Sequence, residues 1–102
     1  MSSISDADAV AYLNQHKGGW NRAMDLNFLK ATGDEVIAEV VVGERHLQPY
    51  GIVHGGVHCG VIETITSLGA AMNALKDGRS AVGLENHTSF IHAVREGVLT
   101  AV

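Results

Sequence analysis

The apolar positions change their period along the chain, and the changes mark its elements. Ser5 or Asp6 can cap a short helix whose apolar side is Ala9, Val10 and Leu13. Gly18 and Gly19 end it. Trp20 to Leu29 is compatible with a strand, and Thr32-Gly33-Asp34 reads as a turn. From Glu35 to Val42, the positions Val36, Ala38, Val40 and Val42 alternate with Glu35, Ile37, Glu39 and Val41, which predicts a strand. The two strands around Gly33 suggest an antiparallel hairpin. Gly43 to Val53 reads as a loop centred on Pro49-Tyr50-Gly51.

The period then becomes helical. Val57, Val61, Ile65, Leu68, Met72 and Leu75 form one stripe at spacings of four and three, from Gly56 to a stop at Asp77-Gly78. Ser80 to Val94 reads as a strand, Arg95-Glu96-Gly97 as a turn, and Val98 to Val102 as the start of another strand. The predicted order is helix, two strands, long helix, two strands. That is an α+β arrangement, in which a single long helix needs an antiparallel sheet to pack against.

Bulk properties narrow the function. The 102 residues fit one domain, 1–102, and show no repeat or linker. At 46% hydrophobic and 18% charged, the composition is that of a globular protein. A chain of this size is marginal alone, so self-association is expected. The net charge of −4, without a Lys/Arg cluster, argues against a nucleic-acid partner. A single cysteine, Cys59, excludes an internal disulfide. Met1 to Val10 lacks the basic start and apolar run of an export signal. His46 to Leu75 is interrupted by Pro49, several glycines, His54 and His58 and does not read as a membrane span. A cytoplasmic location is the resulting expectation.

The chemistry concentrates between His54 and Ser67. Glu63 is the only formally charged residue between Gly55 and Leu75. At about 100° per residue, it points roughly 200° away from the Val61 stripe. Cys59, Thr66, Ser67, Ala70 and Ala74 share its face. A solvated face would carry several long charged side chains, whereas this one looks covered, with space beside one carboxylate. The ordinary explanation for Glu63 is a good helix former or a structurally paired carboxylate. His54-Gly55-Gly56 opens the helix, where glycines let a ligand approach unpaired N–H groups that can hold an oxyanion. The plainer alternative is a tight loop-to-helix turn. Eight residues separate Gly55 from Glu63, roughly 12 Å along one helix. If both act on one carbonyl, they come from two chains, which predicts a symmetric homo-oligomer with its site at the dimer interface.

Other readings are weaker. His54 and His58 are four apart, but no Glu follows the first as in zinc proteases, and no metal or other cofactor is expected. Cys59 is more simply a small buried residue than a nucleophile. Gln48 could hydrogen-bond a carboxylate or substrate carbonyl, or be a solvated loop residue.

The run Gln48-Pro49-Tyr50-Gly51-Ile52-Val53-His54-Gly55-Gly56, continued through Cys59 to Glu63, resembles the hotdog-fold acyl-CoA thioesterases of the phenylacetate-degradation and hydroxybenzoyl-CoA type. Asn86-His87-Thr88-Ser89-Phe90 looks like the strand that follows the helix there. The resemblance runs from about Trp20 to the C-terminus. It implies an antiparallel sheet wrapped around one central helix, in dimers that often pair into tetramers. It implies that Glu63 is the catalytic carboxylate, as nucleophile or as base for water. Gly55 matches the backbone N–H that polarises the thioester carbonyl, Gln48 a loop residue near the reacting group, and Ser67 a helix hydroxyl assisting the carboxylate. His54, Gly56, Cys59, Asn86 and His87 are the expected substrate-binding neighbours. Such proteins usually continue for two further strands, so the fold is expected to lack its last strands.

The function expected is hydrolysis of an aromatic or medium-chain acyl-CoA to free acid and CoA. Two alternatives remain: a non-catalytic or inactive truncated acyl-CoA-binding protein, and a hotdog dehydratase or hydratase using His54 and Glu63.

Overall fold

The computed structural model describes residues 5–102. The reading of Met1 to Val10 as no export signal therefore falls partly outside the described residues. Helix α1 (Asp6–Gln15) starts where Ser5 accepts a hydrogen bond from the Asp8 N–H at 3.1 Å, a side-chain cap at the expected place. The hairpin also forms, as β1 (Asn27–Ala31) and β2 (Val36–Val41), paired antiparallel. Its turn is closed by Thr32, whose hydroxyl oxygen accepts from the Asp34 and Glu35 N–H groups. Val36, Ala38 and Val40 are buried, as the alternation predicts.

The strand expected over Trp20 to Leu29 begins only at Asn27. Before it lies helix α2 (Gly18–Ala23). Asp25, at φ 51°, ends that helix in the left-handed region. The Leu26 N–H bonds back to Asn21 O and the Asp25 N–H to Arg22 O, which makes a Schellman closure built on Asp in place of Gly. The indole of Trp20 lies against Gly60, so closely that no Cβ would fit there. Asn14 ties α1 to β1: its side-chain amide donates to Phe28 O and accepts from the Phe28 N–H. This pairing sits beside an irregularity in the β1–β2 register between Phe28 and Lys30.

The 43–53 loop is ordered around a buried histidine. A 3-10 turn (Glu44–His46) puts His46 at 2% exposure. Its Nδ1 accepts from the Gly43 N–H, which leaves Nε2 to donate to Met24 O at 2.7 Å. Helix α3 (Gly55–Lys76) follows, with Val57, Val61 and Ile65 buried. Leu68 is partly buried against the same core, while Leu75 is 58% exposed. The apolar stripe thus outruns the short strands beneath it.

Strand β3 (Val98–Ala101) pairs antiparallel with β2, giving the sheet order β1-β2-β3. The strand expected over Ser80 to Val94 does not form. Its residues have strand composition, but the sheet ends at β3 and offers them no ladder. The segment crosses α3 instead, held by Val53 N–H to Val94 O and by the Asn86 side chain on Cys59 O. Most of its apolar side chains stay in solvent, with Leu84 at 96% exposure.

One comparison checks where the core lies. Leu26 is fully buried, so Leu26→Ala should cost about 3 kcal/mol of unfolding free energy in urea. Leu84→Ala should fall within about 0.5 kcal/mol of the wild type. Equal costs would contradict this core.

Candidate functional site

Helix α3 carries both halves of the site. Its first residue follows His54, whose φ of −62° and ψ of 133° are extended, as an N-cap requires. The His54 imidazole caps the helix itself: its Nδ1 accepts from the Gly56 N–H at 2.7 Å. The Val57 N–H bonds to His54 O. Among the described residues, the Gly55 N–H has no such acceptor, so it is the donor left for a ligand at this helix start. The Gly56 N–H is already occupied.

Gly55 shares a cavity of about 290 Å³ with Gln48, Ile52, His58, Phe90 and Ile91. The Phe90 ring lies over Gly55, where a Cβ would come within 3.0 Å of its edge. Glycine at this position therefore lets an aromatic wall stand directly against the helix start. The His58 and Phe90 rings are tilted, with centroids 6.1 Å apart.

Glu63 lies two turns further on and lines a different cleft, of about 210 Å³, with Ile62, Thr66, Glu85, Asn86 and His87. The two cavities have no lining residue in common. Ser67, one turn along, donates its hydroxyl to Glu63 Oε1 at 2.7 Å. This charge-assisted bond fixes the carboxylate and leaves Oε2 available. The Gly83 backbone crosses directly above: a Cβ there would overlap Glu63 Oε1. Asn86 donates to Cys59 O at 3.0 Å and accepts from the Thr88 hydroxyl. His87 pairs with Glu85 at 3.1 Å, both largely in solvent. Among the described residues, no group of three His, Cys, Asp or Glu side chains is placed to hold a metal ion. No helix of the described residues is long and apolar enough to cross a membrane.

The expected residues thus gather in two places. Glu63, Ser67, Asn86 and His87 come together on one side, with Cys59 joined through its carbonyl. Gln48 and Gly55 come together on the other, with His54 and Gly56 paired beside them. Phe90 and Gly83 emerge from the geometry as further members. Gly83 had a readable signal, since a lone glycine inside a strand-like run marks a close approach. Phe90 had none, because its contact with Gly55 depends on the path of the 80–94 segment.

A family model described as the thioesterase superfamily matches residues 50–102, from Tyr50 through α3 to β3. A Mycobacterium tuberculosis protein named as a putative esterase is 36% identical over 78 residues, which are 74% of this chain and 56% of that protein. A Haemophilus influenzae protein of the same description is 38% identical over 74 residues, 72% of this chain and 53% of the relative. The chain therefore spans little more than half the length of these curated relatives. Among solved structures, that M. tuberculosis protein superposes with a TM-score of 0.76 at 33% identity, covering 79% of this chain and 65% of the other. A thioesterase from H. influenzae gives 0.78 at 26% identity, covering 97% and 66%. With a long helix on a three-stranded antiparallel sheet, the Glu63 and Gly55 clefts on that helix, and these relatives, the chain has the α+β hotdog fold and belongs to the thioesterase superfamily.

Proposed function

We propose that this chain hydrolyses an acyl-CoA thioester, with each site assembled from two copies of the chain. The observation that carries the reading is the division of the chemistry along α3. An unpaired N–H at Gly55 and the Gln48 side chain line one cavity, and a Ser67-held carboxylate lines another. Helix pitch keeps them roughly 12 Å apart, farther than a Glu side chain reaches. A two-fold partner brings the Glu63 cleft of one copy to the Gly55 cavity of the other.

In such a site, the thioester carbonyl oxygen accepts hydrogen bonds from the Gly55 N–H and Gln48. These stabilise the negative charge that develops on it. Glu63 of the other copy adds to the carbonyl carbon, or takes a proton from a water that does so. The C–S bond then breaks and CoA leaves as thiolate. In the first route, water hydrolyses the resulting anhydride. Both routes end in free acid and CoA. Ser67 holds the carboxylate in place, and Gly83 leaves room for it.

The acyl group is aromatic or of medium length. Supporting this are the cavity of about 290 Å³ walled by Phe90, Ile52 and Ile91, and the small Ala70 and Ala74 on the helix face. A CoA thioester substrate makes the cytoplasm the compartment in which this activity is placed.

Thiol release from a panel of aromatic and aliphatic acyl-CoAs is the direct assay. Glu63→Ala should lower turnover by about 10³-fold while the circular dichroism spectrum is unchanged. Undiminished turnover in that variant removes Glu63 from the mechanism. Acyl-CoA binding by the wild type without thiol release would favour a binding protein.

The two-chain site has a separate test. Gly55→Ala brings a Cβ against Phe90 but keeps the N–H. Measured against that reference, Gly55→Pro, at a first helix position that tolerates proline and after an extended residue, should delete the donor with little change to α3. It should lower turnover about 10²-fold. Re-assembling Gly55→Pro with Glu63→Ala should restore roughly one quarter of wild-type activity, the statistical share of intact sites in a two-fold dimer. No recovery on mixing would place both groups in one chain.

A further inference from the structure

The geometry points to Tyr50 as a positioning residue that aims the Gln48 amide at the substrate carbonyl, an assignment that rests on the thioesterase reading above. Gln48 and Tyr50 sit in a tight loop closed by backbone bonds alone. The Gln48 N–H donates to Ile52 O at 2.7 Å, and the Gly51 N–H donates to Gln48 O at 2.9 Å. Gly51 takes φ 85°, and Leu47 bridges to Val53 across the loop's base. The main chain of Gln48 is therefore fully engaged, and its side chain is its remaining polar group.

That side chain has two unlike ends. The Tyr50 hydroxyl donates to Gln48 Oε1 at 2.9 Å. Engaging the oxygen turns the carbonyl end of the amide toward Tyr50 and leaves Nε2, with its two N–H groups, as the end without a partner in the loop. A thioester carbonyl in this cavity needs donors. With its oxygen held by Tyr50, Gln48 presents one beside the Gly55 N–H, and both residues line the same space. Without the hydroxyl, the amide can rotate by half a turn and present its oxygen to the substrate oxygen, which is repulsive.

Tyr50 is well placed for a clean test. It is 67% exposed and belongs to no core contact, so Tyr50→Phe removes one hydroxyl and leaves no buried hole. The backbone bonds of the loop do not use the side chain. Thiol release should be measured for wild type, Tyr50→Phe, Gln48→Ala and the double variant. Tyr50→Phe should lower kcat about tenfold with KM within about twofold, since the aimed donor matters most as charge develops. In the Gln48→Ala background the same change should have no further effect, because Tyr50 acts through Gln48. The side-chain amide resonances of Gln48 should shift in Tyr50→Phe, a readout independent of turnover.

Wild-type kcat in Tyr50→Phe would overturn the assignment. So would an equal loss in both backgrounds, which would show Tyr50 touching the substrate itself, and so would unmoved Gln48 amide resonances. If the wild type releases no thiol from any acyl-CoA, the thioesterase reading fails and the role of Tyr50 in it fails too. Activity that depends on Glu63 but not on Tyr50 would remove Tyr50 alone.

Discussion

A rigid rod keeps its parts at fixed separations, and α3 is such a rod. Its 22 residues run from the Gly55 N–H to Lys76, and a rise of about 1.5 Å per residue fixes where everything on it sits. The buried stripe of Val57, Val61 and Ile65 anchors its first half to the sheet and so fixes its rotation. Once the rotation is fixed, Glu63 must face away from the core, under the 80–94 segment. Neither the donor nor the carboxylate can be moved toward the other without breaking the helix. The separation that rules out a single-chain site is the one that the proposed two-fold arrangement would use. Two antiparallel rods place the start of each beside the middle of the other.

The surroundings of each half serve placement more than binding strength. Ser67 holds one oxygen of Glu63, and the bare Gly83 backbone passes where any side chain would displace that oxygen. At the other end, His54 consumes the Gly56 N–H as a helix cap, which leaves a single directed donor at Gly55. Under water, a carboxylate and an amide N–H are weakly discriminating groups. Here each is fixed, the carboxylate by Ser67 and the N–H by the helix start beside Phe90, so that in the proposed site each would meet one atom.

Much of this was legible in the sequence because it depends on local period. The α3 stripe, the β2 alternation and the Thr32 turn each follow from nearest neighbours along one element, and they came out in place. The parts that were not legible depend on partners remote in sequence. Helix α2 replaced the start of a predicted strand because Asp25 closes it in a conformation usually left to glycine, and because Trp20 has Gly60 to lie against. His46 and Asn14 look like ordinary polar loop and helix residues, yet each satisfies backbone groups more than ten positions away. At the site, the types of Glu63, Gly55, Gln48 and Ser67 and their spacing were readable. The division into two clefts was readable only from helix pitch.

The 80–94 segment shows why composition alone misassigned an element. Val82, Leu84, Phe90 and Ile91 have the β propensity of a strand, but a strand exists only where a neighbour supplies hydrogen bonds along its length. Here β3 ends the sheet, so the segment's N–H and C=O groups face solvent apart from a few ties to α3 and the loop before it. Unpaired, the segment leaves Val82, Leu84, Phe90 and Ile91 in solvent, side chains that a neighbouring element would cover. It also lies across both clefts, with Gly83 at Glu63 and Phe90 at Gly55. Whatever pairs with this segment will therefore also set the shape of the site. A strand laid along it would fix Gly83 against Glu63 and Phe90 against Gly55 together, because the same short stretch of backbone crosses both clefts.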